Sequence, residues 1–260
     1  MKEQYTSLVK MVDIKKSFGK VVALNGVNFE VGQNEVVGLI GDNGAGKSTI
    51  VKILMGVFPP DKGEIYIRGD EISTHGYSAK KAHDLHIETV YQEKALAEKQ
   101  SLWRNIFLGR QITNFMGFIN IPKEKAEADK VMQDTIGFRG KGVSADTKVG
   151  KLSGGEKQGV AIGRAMYFDA DLIILDEPTL ALSLLEVQKV LNFIRKIKEA
   201  GKACIYISHN ISEVYSVSDR FVFIDRGEIR GEYRRDEVTL QELTEKLINI
   251  ARSNNVKKGS

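Results

Sequence analysis

A single cysteine, Cys204, stands among 260 residues, which excludes an internal disulfide framework. It lies in Ala203-Cys204-Ile205-Tyr206-Ile207, an apolar run that reads as a buried strand, so the thiol is expected to be a packing group. No apolar stretch approaches the roughly 18 residues that cross a bilayer. The first residues, Met1-Lys2-Glu3-Gln4, lack the apolar core of a signal peptide. The expectation is a cytoplasmic protein that serves a membrane, if it does, through partners. A strong excess of one charge is also missing. The net charge is +4, from 38 basic and 34 acidic residues spread along the chain, and this makes no case for nucleic acid. Only Val256-Lys257-Lys258-Gly259-Ser260 forms a short basic tail. There is no internal repeat. His75, His83 and His86 crowd into the polar stretch 70–86 without metal-ligand spacing and read as solvated surface.

What is present is enough for a large core. Hydrophobic residues make up 42% and charged residues 28%, the balance of a globular protein rather than a disordered one. The chain is organised around Gly41-Asp42-Asn43-Gly44-Ala45-Gly46-Lys47-Ser48-Thr49, which fits G-x-x-x-x-G-K-[ST]. Before it, Glu35 to Ile40 reads as a buried strand. After it, Ile50, Ile53, Leu54 and Val57 fall on one face of a helix. Glycines let successive N–H groups curl around a phosphate, and the following helix points its positive end there. Lys47 is placed to reach the outer phosphates, and Ser48 to offer a hydroxyl to Mg²⁺.

Upstream, Val9, Met11, Asp13 and Lys15, then Val21, Ala23, Val27, Phe29 and Val31, suggest antiparallel strands turning at Phe18-Gly19-Lys20. Phe18 is either a packing residue or a ring that stacks on a base. Downstream, Pro59 to Gly63 is a turn, and Glu64 to Gly69 and Ile87 to Gln92 read as strands. Residues 93–166 read as a mostly helical insertion with a small core of its own. Within it, Phe115-Met116-Gly117-Phe118-Ile119 is an apolar patch without period, which either packs inside or forms a contact surface.

Two further landmarks follow. In Leu152-Ser153-Gly154-Gly155-Glu156, Ser153 and Glu156 make a capping box that opens a helix. Two glycines at its first positions imply that the backbone approaches something closely, and a helix start with bare N–H groups favours an anion. In Leu172-Ile173-Ile174-Leu175-Asp176-Glu177, a strand buried on both faces ends in two carboxylates. Open α/β sheets bind ligands at that end. Asp176 suits a Mg²⁺ role and Glu177 the activation of a water. Beyond them come a helix through Val187 to Ile197, the strand holding Cys204, then Ser208-His209-Asn210. A hairpin turns at Asp225 to Glu228, and a second capping box, Thr239 with Glu242, opens the last helix.

These landmarks, in this order from Phe18 to about Tyr233, resemble the nucleotide-binding domain of ABC transporters. The resemblance implies an α/β fold: a P-loop NTPase core with a mainly parallel sheet, an N-terminal antiparallel β subdomain and an inserted α-helical subdomain. The expected divisions are 1–92 with 167–235 for the core, 93–166 for the helical part, and 236–260 for a helix and tail. It implies ATP and Mg²⁺ as ligands. Phe18 would stack on adenine, and Gly41 through Thr49 would bind the phosphates, with Ser48, Gln92 and Asp176 at the metal. Gln92, Glu177 and His209 would serve hydrolysis. Ser153, Gly154 and Gly155 would contact the γ-phosphate held by a second copy of the chain.

Val90-Tyr91-Gln92-Glu93, Asn105 to Arg110, and Glu177 to Ser183 are similar to importers of monosaccharides such as ribose, xylose, galactose or fructose. One cassette rather than two implies a head-to-tail dimer. It would work with transmembrane permease subunits and a sugar-binding protein, on the inner face of the membrane and without nucleic acid. Alternatives are an exporter ATPase, or a soluble ABC ATPase acting on nucleic acid or ribosomes. The soluble kind calls for a long coiled coil or a basic linker between two cassettes, and the sequence has neither. The chain departs from the family pattern at Glu156, at Ser183 in place of an aspartate, and at Gly159 and Gly163 in the signature helix.

Overall fold

A computed structural model describes residues 7–90, 96–133 and 142–256. The first part of the chain runs β1 (Ser7–Phe18), β2 (Val21–Gly32), β3 (Val36–Ile40), α1 (Lys47–Leu54), β4 (Lys62–Ile67), β5 (Asp70–Glu71), α2 (Ala79–Asp84) and β6 (Ile87–Val90). Then come α3 (Leu102–Ile106), α4 (Ile121–Val131) and α5 (Gly154–Tyr167). The last part holds β7 (Leu172–Asp176), α6 (Leu184–Glu199), β8 (Ala203–Ile207), α7 (Ile211–Val217), β9 (Arg220–Asp225), β10 (Glu228–Arg234) and α8 (Leu240–Val256).

Two sheets result. The antiparallel one has the order β2-β1-β4-β5. The other has the order β10-β9-β3-β8-β7-β6 and is parallel apart from β10. The simple alternation expected along β1 breaks at Asp13. This residue takes a φ of 47°, and the pairing shifts between Met11 and Ile14. The shift turns Ile14 inward and leaves Asp13 outside, so an uninterrupted period of two would have put the wrong residues in the core.

The parallel strands are buried on both faces, as their apolar runs require. Val37 and Leu39 of β3 face α1 and the antiparallel sheet, sharing a core with Ile50, Ile53 and Leu54. Val36 and Ile40 face the opposite way, toward Ile162 of α5, Leu191 and Ile194 of α6, and Val214 of α7. Burial pushes the Cys204 thiol far above its ordinary range, so it is inert packing there. A third cluster gathers Leu102, Trp103, Ile106, Phe107, Ala128, Val131 and Leu152. Val160 of α5 belongs to it, while Ile162 belongs to the sheet core, so one helix ties the two together.

The polar stretch 70–86 holds more structure than its composition announces. Ser78 caps α2, and Tyr77 donates its hydroxyl proton to the Leu54 carbonyl at 2.6 Å. Two of its histidines have partners, while His86 stays exposed as expected and His83 is half-buried. His83 Nδ1 lies 3.1 Å from Glu88 Oε1, and His86 Nδ1 lies 2.9 Å from the Asp169 carbonyl. Of the two alternatives for 115–119, exposure holds: Phe115 is 95% and Phe118 66% exposed. A bridge between Thr113 and Ile119 closes the base of this tip, and Asn114 Oδ1 accepts from the Met116 and Phe118 N–H groups.

Candidate functional site

The glycine loop leaves the C-terminal end of β3, Asp176 and Glu177 that of β7, and Ser208-His209 that of β8 between them. Adjacent parallel strands thus deliver all three segments to one edge of the sheet, where such sheets bind ligands. Gly46 has a φ of 113°, and a Cβ there would lie 2.8 Å from Leu24 Cδ2 and 2.9 Å from the Ala23 carbonyl oxygen. Glycine therefore satisfies both backbone and space. α1 starts with no side-chain cap and no acidic residue in its first turn, so its first N–H groups stay open to an anion. Asp42, Asn43, Gly44 and Ser48 are exposed along the loop, while Ala45, Gly46 and Lys47 are buried. The Lys47 ammonium folds back over the loop and donates to the Gly41 carbonyl at 2.6 Å and the Asp42 carbonyl at 3.0 Å.

Beside the loop sits the carboxylate pair. Burial, then the charge of Glu177, pushes the Asp176 carboxyl above its usual range, and Lys47 and Lys52 only partly oppose this. Glu177 has a φ of 49°, a sparsely populated conformation that costs a non-glycine residue about 1–3 kcal/mol. Its N–H donates to the Ile207 carbonyl at 3.0 Å, which ties it to β8. His209 Nδ1 lies 3.8 Å from Glu177 Oε1 with its ring 62% exposed, so the two are neighbours without a hydrogen bond.

A supporting network was not legible in the motifs. Glu213 on α7 accepts from Thr179 Oγ1 at 2.7 Å, Tyr206 Oη at 2.9 Å and Asn210 Nδ2 at 2.8 Å. Asn210 Oδ1 accepts from the Ser212 and Glu213 N–H groups and so caps α7. One carboxylate thereby holds the turn after Glu177 and the loop carrying His209. The signal available was Asn210 three residues before Glu213, a local capping pattern with no hint of its distant partners.

Two further landmarks make contacts of their own. Phe18 ends β1 half-exposed, its ring edge-on to Phe58 with centroids 5.2 Å apart and the Lys16 ammonium 5.7 Å from it. The capping box of α5 forms as expected, with Ser153 N–H donating to Glu156 Oε2 at 3.0 Å and Glu156 N–H to Ser153 Oγ at 3.3 Å. Among the described residues, no hydrogen bond joins Ser153, Gly154 or Gly155 to the glycine loop. Gln92 falls outside the described residues.

The donor set fits Mg²⁺ bound together with phosphates. Among the described residues no group of three or more His, Cys, Asp or Glu side chains could hold a metal alone. Magnesium bound with phosphates needs only one or two protein ligands. Ser48 supplies a hydroxyl, and Asp176 is a carboxylate whose charge is poorly compensated. A stability test follows from that imbalance. A raised carboxyl favours the fold while protonated and burdens it once pH rises through its folded pKa. Asp176→Asn is therefore expected to raise the apo melting temperature at pH 7.5 by about 2–4 °C, a gain that disappears below about pH 4. Calorimetry across that range checks it, and an unchanged or lower melting temperature at pH 7.5 contradicts it.

A glycine loop between strand and helix, with two carboxylates ending a nearby parallel strand, defines a phosphate-loop nucleotide hydrolase. The ABC transporter profile matches residues 24–180, and the chain belongs to that family, as one of its ATPases. It is 42% identical over 246 residues to the xylose/arabinose import ATP-binding protein XylG of Sulfolobus acidocaldarius, covering 95% of this chain and 96% of that one. It is 35% identical over 240 residues to the ribose import ATP-binding protein RbsA of Bacillus licheniformis, but spans only 48% of that protein's length. Among solved structures, a nucleotide-free ATP-binding cassette from an ABC transporter shares the fold, with a TM-score of 0.80 at 24% identity over 94% of this chain and 98% of that one. A dimeric cassette in a post-hydrolysis state, bound to ADP and Pi, matches with a TM-score of 0.72 at 25% identity, over 87% of this chain and 98% of that one.

Proposed function

We propose that this chain is the ATP-hydrolysing subunit that powers import of a sugar, of the pentose class, through separate membrane subunits. The match that carries this reading is the one to the xylose/arabinose import protein, because it runs nearly the full length of both chains. Two copies close head to tail around two ATP molecules. That no hydrogen bond among the described residues joins Ser153, Gly154 or Gly155 to the glycine loop of the same chain supports this, since a second copy can bring the missing half. A dimeric cassette among the fold's relatives supports it as well.

Lys47, Ser48 and Thr49 hold the phosphates, while Phe18 offers its open face to adenine. Ser48 and Asp176 would hold Mg²⁺ together with Gln92, and the metal would neutralise phosphate charge when bound. Glu177 orients the attacking water and takes its proton. His209, whose Nδ1 lies 3.8 Å from Glu177 Oε1, serves as the histidine at the γ-phosphate. Ser153, Gly154 and Gly155 of the second copy meet the γ-phosphate from the far side. Little covalent chemistry falls to the protein, which positions and stabilises charge. Among the described residues no helix is long and apolar enough to cross a membrane. The subunit works on the inner face of the membrane, docked on permease subunits that receive sugar from a binding protein.

The test is reconstitution. Co-purified with its membrane subunits in proteoliposomes and supplied with the binding protein, the chain is expected to hydrolyse ATP several-fold faster when xylose, arabinose or ribose is present. ATPase activity indifferent to every sugar tried, in a complex that still assembles, rules the sugar assignment out.

A further inference from the structure

The two glycines that open α5 face the start of α6 at very short range. A Cβ on Gly154 would lie 2.4 Å from Leu182 Cδ2, and one on Gly155 would lie 3.0 Å from Glu186 Cβ and 3.2 Å from Glu186 Cα. Leu182 could swing away, but the α6 backbone at Glu186 cannot without moving the helix. This close approach sets the Glu186 carboxylate on the open end of α5. Its Oε1 accepts from the Gly155 N–H at 3.3 Å. Its Oε2 accepts from the Ser183 N–H at 3.1 Å and the Ser183 hydroxyl at 2.9 Å. These bonds, helped by the Ser153 side chain, hold the carboxyl down to about 2, so it is ionised at any physiological pH. The positive end of α5 favours the charge further.

We infer that Glu186 is an internal anion seated on the α5 start, from which the γ-phosphate of the second copy's ATP must take the Gly155 N–H for the two copies to close. The inference rests on the two-copy reading above. One N–H cannot serve two anions at full strength, and the two negative charges repel one another across a few ångströms. Glu186 therefore opposes closure by any weakly charged ligand. When the γ-phosphate leaves after hydrolysis, it reclaims Gly155 and favours reopening. Its place on α6 matters too, because α6 follows directly on the turn that leads away from Glu177. Ser183 holds the carboxylate at that junction, so the contact at the α5 start and the segment after the hydrolytic carboxylate share one tether.

The sign of the effect separates this from a structural role. In a Glu177→Gln background, which arrests hydrolysis, ATP-driven dimerisation is measured by sedimentation with Glu186 intact and with Glu186→Gln added. Glutamine keeps the shape and removes the charge; its single carbonyl oxygen can still accept from Ser183 or from Gly155, though not from both. The dimer is expected to tighten about three- to tenfold, with the gain shrinking as salt rises. Glu186→Ala should tighten the dimer too, while lowering the melting temperature because the α6 start loses its tie to Ser183. A dimer no tighter, or weaker, in both variants overturns the inference. A parent that binds ATP yet stays monomeric at every concentration instead overturns the two-copy reading, and this inference with it.

Discussion

Glu177→Gln is expected to bind ATP about as well as the unaltered chain while hydrolysing it at least about 100-fold more slowly, and to accumulate as an ATP-bound dimer. The magnitude is that of losing a positioned general base. The geometry explains why binding survives. Among the described residues Glu177 makes no hydrogen bond to the glycine loop, and its backbone is held by Ile207 whatever its side chain. Its unusual φ is fixed by the β7–β8 junction and is equally available to glutamine. Binding should even gain slightly, because the charge that presses Asp176 upward is gone. Single-turnover hydrolysis alongside sedimentation with ATP checks both halves. Turnover within threefold of the parent would remove Glu177 from the proton-taking role and shift attention to His209, which lies 3.8 Å away.

How much of this was readable from residues alone depends on whether the cause was local. The glycine loop, the two-faced strand ending in Asp176-Glu177 and the capping boxes at Ser153 and Thr239 are local patterns. Each formed where its spacing placed it. Registers were less legible. The phase of β1 turns on one residue, Asp13, whose backbone conformation no alternation rule announces. Tertiary pairings were not legible at all. Glu88 lies buried in β6, where the strand pattern Ile87-Glu88-Thr89-Val90 gives no hint of its partners. Its partners His83 and Arg110 come from α2 and from just after α3. Those partners lower the Glu88 carboxyl against a burial that would raise it. Glu186 is the sharper case. Ser183 with Glu186 reads as an ordinary helix start, and only the fold brings that carboxylate against Gly155. The glycines did signal a close approach, and the approach present within one chain is that of α6.

The glycine loop and the α5 start therefore have a common logic. Each is a helix start with a charged side chain of the same chain set against it: Lys47 lies over the first, Glu186 accepts from the second. The charges differ in sign, and so do their consequences. Lys47 adds to the attraction for phosphate, and Glu186 subtracts from it.

Lys47→Ala is accordingly expected to weaken ATP binding by at least about 100-fold, roughly 2.7 kcal/mol, and to abolish hydrolysis with it. Among the described residues the buried ammonium donates to two carbonyls of its own loop, at 2.6 and 3.0 Å. An ammonium has three donors, so it can keep a carbonyl while reaching a phosphate. Alanine removes the one full positive charge aimed into the loop and leaves the open N–H groups of α1 to hold the phosphates unaided. Lys47→Arg should recover only part of the loss. Its planar fork is larger than the ammonium it replaces, and the cradle leaves an ammonium little spare room. The loss should belong to the ligand and not to the fold, which melting curves can separate. Saturating Mg-ATP stabilises the unaltered chain by mass action, by about 2.7 kcal/mol at a hundred times its dissociation constant. The Lys47→Ala chain should melt within a few degrees of the unliganded parent and show no shift on adding ATP. A shift equal to the parent's would mean that the backbone of the loop suffices and that the buried lysine serves only to brace it.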